Sequence, residues 1–177
     1  MIAGLVWCIA FGPLALLIQA IAAGRPGSAA ARMGPGAAYA AGFAFAIAVA
    51  ALVGVAARGP LATGTWGVGG IGFGLYLDAL SAILLALVAF IGLIVVRYSR
   101  NYLDGDPGQG RFTRWLCITL AAVLLLIMSG NLAQFALAWL ATSIGLDRLL
   151  LFYPERQAAV LAARKNFLAS RAGDLCL

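Results

Sequence analysis

Histidine is missing from this sequence altogether, and charge is scarce: only 10% of residues are Asp, Glu, Lys or Arg, against about 25% in soluble domains. The first absence removes the commonest metal ligand, so a zinc or haem centre would have to be assembled from scattered carboxylates and thiols. The second removes the surface a soluble fold needs. Cysteine is also sparse. Cys8, Cys117 and Cys176 lie in separate apolar segments without short spacing, which excludes a metal motif and gives no disulfide framework. No metal, cofactor or catalytic residue is expected, and the chain does not read as an enzyme.

What is present is apolar and comes in blocks. Hydrophobic residues make up 64% of the chain, in uncharged stretches at 1–24, 33–57, 79–96 and 115–146. Such runs, without an amphipathic rhythm, mark membrane spans. The last is too long for one span, and Ser129-Gly130-Asn131 supplies a turn near its middle. The expected fold is an all-α membrane protein. About six transmembrane helices, near 2–24, 37–57, 77–98, 112–129, 132–153 and an incomplete 157–177, make 1–177 the N-terminal part of one transmembrane domain. The sixth is too short to cross, so the sequence reads as the N-terminal piece of a longer transporter. Pro13 should kink the first helix, and Asp78 should cap the third. The start Met1-Ile2-Ala3-Gly4-Leu5 lacks the basic region of a secretory signal, so the first span is read as retained.

The basic residues orient the bundle. Arg25 and Arg32 fall in the first loop, Arg97, Arg100, Arg111 and Arg114 around the third, and Arg148, Arg156, Arg164 and Lys165 around the fifth. Loops two and four share only Arg58, and Arg171 lies within the sixth segment. This alternation predicts cytoplasmic loops one, three and five and an N-terminus outside. A nucleic-acid-binding stripe would be contiguous, so that class is excluded. Gly67-Val68-Gly69-Gly70-Ile71-Gly72 formally matches a dinucleotide fingerprint, but its neighbours are spans rather than a βαβ unit. A short extracytoplasmic β-hairpin, with Trp66 and Tyr76 near the interface, is expected there. Asp104-Gly105-Asp106-Pro107-Gly108 reads as a tight turn.

Ionisable residues inside spans are costly and therefore candidates for function. Asp147 and Arg148 are adjacent and cannot face each other; either both find partners elsewhere, or Arg148 reaches the surface while Asp147 faces the bundle. Arg171 and Asp174 are three apart and share a helix face, close to that of Arg164. Such a line of charges serves either an ion path or a structural lock between helices.

Tyr98-Ser99-x-x-Tyr102-Leu103-x-Gly105-Asp106-Pro107-Gly108 with Phe112, then Asn131-Leu132 through Trp139, then Ala163-x-Lys165-x-Phe167-Leu168-x-x-Arg171-x-Gly173-Asp174 resemble the antiporter-like subunits of respiratory complex I and the Mrp cation/proton antiporters. The segment Leu149-Leu150-Leu151-Phe152-Tyr153-Pro154-Glu155-Arg156, running into Arg164-Lys165, is most similar to the DabB-like subunits of bacterial inorganic carbon transporters. That resemblance implies a proton-conducting subunit of a bacterial inner membrane, driving bicarbonate or CO2 uptake with a large cytoplasmic, zinc-containing, carbonic-anhydrase-like partner of the DabA type. The alternative it implies is subunit L of an NADH-quinone oxidoreductase or an Mrp-type antiporter subunit. Arg171 and Asp174 match the family's helix-six pair, Lys165 belongs to the same motif, and Asp147 is the further candidate for a proton path. Where respiratory and Mrp members carry a glutamate after the tryptophan of helix five, Leu140 stands here. Asp147, two turns on, is a candidate displaced carboxylate.

Overall fold

The computed structural model describes residues 7–23, 30–68, 71–106, 108–152 and 157–174. A 3₁₀ turn at Cys8–Ala10 leads into α1 (Phe11–Ala23), followed by α2 (Ala30–Arg58). Four short strands come next: β1 (Leu61–Ala62), β2 (Trp66–Val68), β3 (Ile71–Phe73) and β4 (Tyr76–Leu77). The remainder is α3 (Ala79–Tyr102), α4 (Gln109–Ile127), α5 (Leu132–Leu150) and α6 (Gln157–Asp174). Helix α1 packs on α2 and α4, α2 on α3, and α3 on α4; α5 lies against α4, with α6 outside it.

Helix α2 packs through small residues. The buried face of α2 is Ala37, Ala41, Ala44, Ala48, Ala51 and Val55, alternating in steps of four and three. Those small residues bring backbones close, and Gly12 of α1 sits where an added Cβ would lie 3.5 Å from the Ala44 Cα. Large apolar side chains point outward instead: Ile83, Leu87, Phe90, Ile91 and Ile94 of α3 are all exposed. This surface suits lipid and not water. Among the described residues, three helices are long and apolar enough to cross a membrane: 35–58 of α2, α3 and α4. At 1.5 Å per residue, the 24 residues of α3 reach about 36 Å, more than a ~30 Å hydrocarbon core.

Two expectations change. Helix α2 begins at Ala30, ahead of the predicted 37, and carries Pro35 inside it. Pro35 is the sixth residue of the helix, past the unpaired first N–H groups, so it forfeits one backbone bond, while Ala30, Ala31 and Met33 favour helix and the helix survives. Pro13 lies in the first turn of α1, just after the change from 3₁₀ to α geometry. There its missing N–H is cheap, and the irregularity precedes the proline rather than interrupting mid-span.

The hairpin is two nested pieces. Strand β1 pairs antiparallel with β4, Leu61 opposite Leu77 and Ala62 opposite Tyr76. Strand β2 pairs with β3, with Trp66 opposite Phe73 and Gly67 opposite Gly72. The register shifts by one between them, because Thr63, Gly64 and Thr65 on one side face only Gly74 and Leu75 on the other. Gly67 and Gly72 are therefore paired strand residues and no phosphate loop; Gly69 and Gly70 lie outside the described residues.

Candidate functional site

Two loop systems define the ends of the bundle. At one end the hairpin docks on the α4–α5 turn. Gly130 N–H donates to the Gly74 carbonyl at 2.9 Å and Tyr76 N–H to the Met128 carbonyl at 3.1 Å. The one-residue offset leaves the Gly74 N–H off the ladder, and it donates to Gln134 Oε1 at 3.0 Å. Asn131 has two roles. Its Oδ1 caps α5 by accepting from Gln134 N–H at 2.8 Å, and its Nδ2 donates to the Gly72 carbonyl at 2.6 Å. Trp7 stacks on Phe73 and meets Trp66 edge-on, tying the hairpin to the start of α1.

At the other end the α3–α4 and α5–α6 connections meet. Gly105 has φ +83°, Asp106 N–H donates to the Leu103 carbonyl at 3.0 Å, and Asp106 Oδ1 accepts from Gly108 N–H at 2.6 Å, forming the expected turn. Phe152 is buried against it. Its carbonyl accepts from Arg111 Nη2 at 3.1 Å, and its ring takes Phe112 edge-on with centroids 5.2 Å apart. The stretch 153–156, which includes Glu155 and Arg156, lies outside the described residues.

Between these ends a polar seam runs along the antiparallel pair α5 and α6. Asn166 Nδ2 donates to Asp147 Oδ1 at 3.2 Å. One turn deeper along α5, Ser143 is buried and its hydroxyl oxygen accepts from Arg171 Nη2 at 3.1 Å. The Arg171 guanidinium also lies over the Phe167 ring, 5.1 Å from its centroid. Asp147, Arg164, Phe167 and Leu168 line a cavity of about 490 Å³ that opens beside this seam. On the far side of α5, Gly145 lets α4 approach so closely that an added Cβ would overlap Thr119 Oγ1. Helix α5 is thus wedged against α4 by a glycine and joined to α6 by polar side chains.

Known proteins resemble this chain over part of its length. Residues 66–113, covering the hairpin, α3 and the start of α4, match the model for NADH-Ubiquinone oxidoreductase (complex I), chain 5 N-terminus. The chain is 43% identical over 111 residues to the probable inorganic carbon transporter subunit DabB2 of Halothiobacillus neapolitanus, which is 63% of this chain and 20% of that protein. It is 43% identical over 99 residues, 55% of the chain and 19% of the relative, to the probable inorganic carbon transporter subunit DabB of Hydrogenovibrio crunogenus. With Na(+)/H(+) antiporter subunit A1 of Staphylococcus aureus it shares 35% identity over 108 residues, 61% of the chain and 14% of that subunit. Over these residues the chain is similar to the DabB-like subunits and, more distantly, to other antiporter-like proteins. It spans about a fifth of the length of its DabB relatives.

Among the candidate residues of this DabB-like chain, Asp147 and Arg171 are both brought to the α5–α6 seam, each with a polar partner on the facing helix. Arg148, exposed, turns away and lies over the Trp115 ring at 5.6 Å. Lys165 is exposed and does not line the seam cavity. Asp174 is the last residue of α6, and its side chain lies outside the described residues, as does the predicted contact with Arg171. Leu140 sits two turns before Asp147 on α5, beside Trp139, which stacks on Phe135. Sequence reasoning missed Ser143 and Asn166. The signal for Ser143 was its i, i+4 spacing from Asp147; nothing in α6 alone singles out Asn166, whose partner is nineteen positions away.

Proposed function

We propose that this DabB-like chain belongs to a proton-conducting subunit that energises inorganic carbon uptake in a bacterial inner membrane. Its partner in that reading is a large cytoplasmic, zinc-containing, carbonic-anhydrase-like subunit of the DabA type, and its N-terminus faces outward. The observation that carries the proposal is the polar seam between α5 and α6, where Asp147 meets Asn166 and Ser143 meets Arg171 across the helix pair. Groups of this kind are costly beside lipid and are kept where a charge must move.

In this reading Asp147 is the entry carboxylate. Ionised, it accepts the Asn166 amide hydrogen bond; protonated, it turns donor, and the amide can rotate to offer its oxygen instead. Deeper in the seam Arg171 precedes Asp174 by three positions on α6, the spacing at which a guanidinium and a carboxylate can pair. Making and breaking that pair then couples proton uptake at one carboxylate to release from the other. Leu140 supports carbon uptake over the respiratory reading, because a path through a carboxylate at that place does not exist here. The complex I or Mrp reading is favoured by the chain 5 family model and by the 35% identical antiporter subunit.

The test uses the full-length complex in a strain dependent on it for growth on inorganic carbon. Asp174→Asn should abolish rescue and Asp147→Asn should weaken it, each with unchanged membrane abundance. Full uptake by Asp174→Asn would make the pair structural and end the proposed route. Purification of the intact complex separates the two readings: a large zinc-bearing partner supports carbon uptake, and a set of quinone-reducing subunits supports the other.

A further inference from the structure

At the end of the bundle that carries the third basic loop, a cleft opens between the beginning of α2 and the end of α3. Its volume is about 640 Å³, and Gly42, Phe43, Leu93, Arg97, Arg100 and Asn101 line it. Polarity follows depth. Leu93 lies one turn below Arg97, and Arg97 and Arg100 sit three apart on one face of α3, so apolar walls lead up to two guanidinium groups. Among the described residues, no Asp or Glu lines the cleft to neutralise them. Both arginines are exposed, and their stems can follow the apolar wall while the heads reach the interface. The floor is open at Gly42, where an added Cβ would meet only Leu93 Cδ1, 4.0 Å away.

We infer that this α2–α3 cleft binds one anionic phospholipid, its phosphate held between Arg97 and Arg100 and an acyl chain lying along Gly42, Phe43 and Leu93. A free inorganic anion satisfies the two cations and leaves the apolar walls bare. A neutral lipid covers the walls and leaves the cations unmatched. An anionic amphiphile completes both halves, and basic pockets between membrane helices take such headgroups. Two basic residues near a membrane surface give a preference for anionic over zwitterionic lipid of roughly thirtyfold. The inference is independent of the proton route, since the cleft shares no residue with the α5–α6 seam.

The experiment reconstitutes the full-length protein in nanodiscs of equal phosphatidylcholine and phosphatidylglycerol, transfers it to detergent, and counts retained lipids by native mass spectrometry. The wild type should keep one phosphatidylglycerol selectively. R97Q/R100Q, at two exposed positions, should lose the selectivity at unchanged helix content by circular dichroism. Gly42→Leu fills the floor while leaving both arginines in place, and should lose the lipid itself; if it unfolds, Leu93→Asn carries the same expectation. Retained selectivity in R97Q/R100Q would overturn the inference, as would wild-type retention in a folded floor variant. Displacement of the lipid by inorganic phosphate would show a site for the free anion and overturn it equally.

Discussion

The fold uses two of its carboxylates in opposite ways. Asp78 precedes α3, and its Oδ1 accepts from both the Ser81 N–H and the Ser81 hydroxyl at 2.7 Å. These bonds, the backbone one foremost, hold its carboxyl below the usual carboxylate range. A depressed carboxyl contributes stability that is present above its unfolded value, about 3.9, and lost as pH falls through its folded value. The melting temperature in detergent should accordingly drop below about pH 4, with a shallower acid limb in Asp78→Asn; superimposable limbs would show that the cap does not contribute. Asp147, by contrast, receives one amide donor inside a helix seam. That bond ties the carboxylate to the facing helix rather than to its own backbone. Asn166→Leu should therefore impair transport in the full-length protein about as much as Asp147→Asn does, while Lys165→Gln, at an exposed position, should leave it near wild type. Proton flux in proteoliposomes checks both, and a Lys165→Gln defect matching that of Asp147→Asn would move the path out of the seam.

Among the elements, the hairpin and the α4–α5 turn act as one piece, and glycine makes this possible. An added Cβ at Gly130 would come within 2.7 Å of the Gly74 carbonyl carbon, backbone against backbone. Gly130→Ala should cost about 1–3 kcal/mol through forced separation of the two segments. Gly64, with nothing within 4 Å, supplies the control, and Gly64→Ala should be nearly neutral. Gln134→Leu should cost a similar 1–3 kcal/mol, because it strands the Gly74 N–H without its buried acceptor. Thermal unfolding in detergent measures all three; equal melting temperatures for Gly130→Ala and Gly64→Ala would refute the close-approach argument.

For the whole molecule, a buried core of alanines and leucines, with Leu16, Leu85 and Leu124 at its centre, is surrounded by an exposed belt that is large and apolar, so lipid contact and interhelical van der Waals packing work together. The third and fifth basic loops meet through Phe152 and Arg111, whereas the hairpin and the α4–α5 turn meet through Gly74 and Gly130. These two sets occupy opposite ends of antiparallel helices, as alternate loops must. The positive-inside rule then predicts that the Phe152 end faces the cytoplasm. In a variant with its native cysteines replaced by serine, a cysteine at Gly69 should react with an impermeant maleimide in intact cells, and one at Gly108 only after permeabilisation. The reverse pattern would invert the topology.

Much of this was legible in the chain itself. Missing charge and long apolar runs required a lipid environment, Asp78 and Asn131 announced two helix starts, and the glycines at 67 and 72 with their flanking aromatics announced a hairpin. The motifs from Tyr98 to Asp174 announced the resemblance. These are local properties, set by hydropathy and by backbone groups within a few residues of one another. Tertiary structure alone decided the rest: that Asp147 meets Asn166, that Arg171 reaches Ser143, that a one-residue register shift hands Gly74 to Gln134, and that Arg97 and Arg100 stand over a cleft floored by Gly42. Helical periodicity assigns each residue to a face, but in lipid apolar faces are nearly equivalent. Which face meets which helix is settled by close packing at glycine and alanine, and that depends on residues distant in the chain.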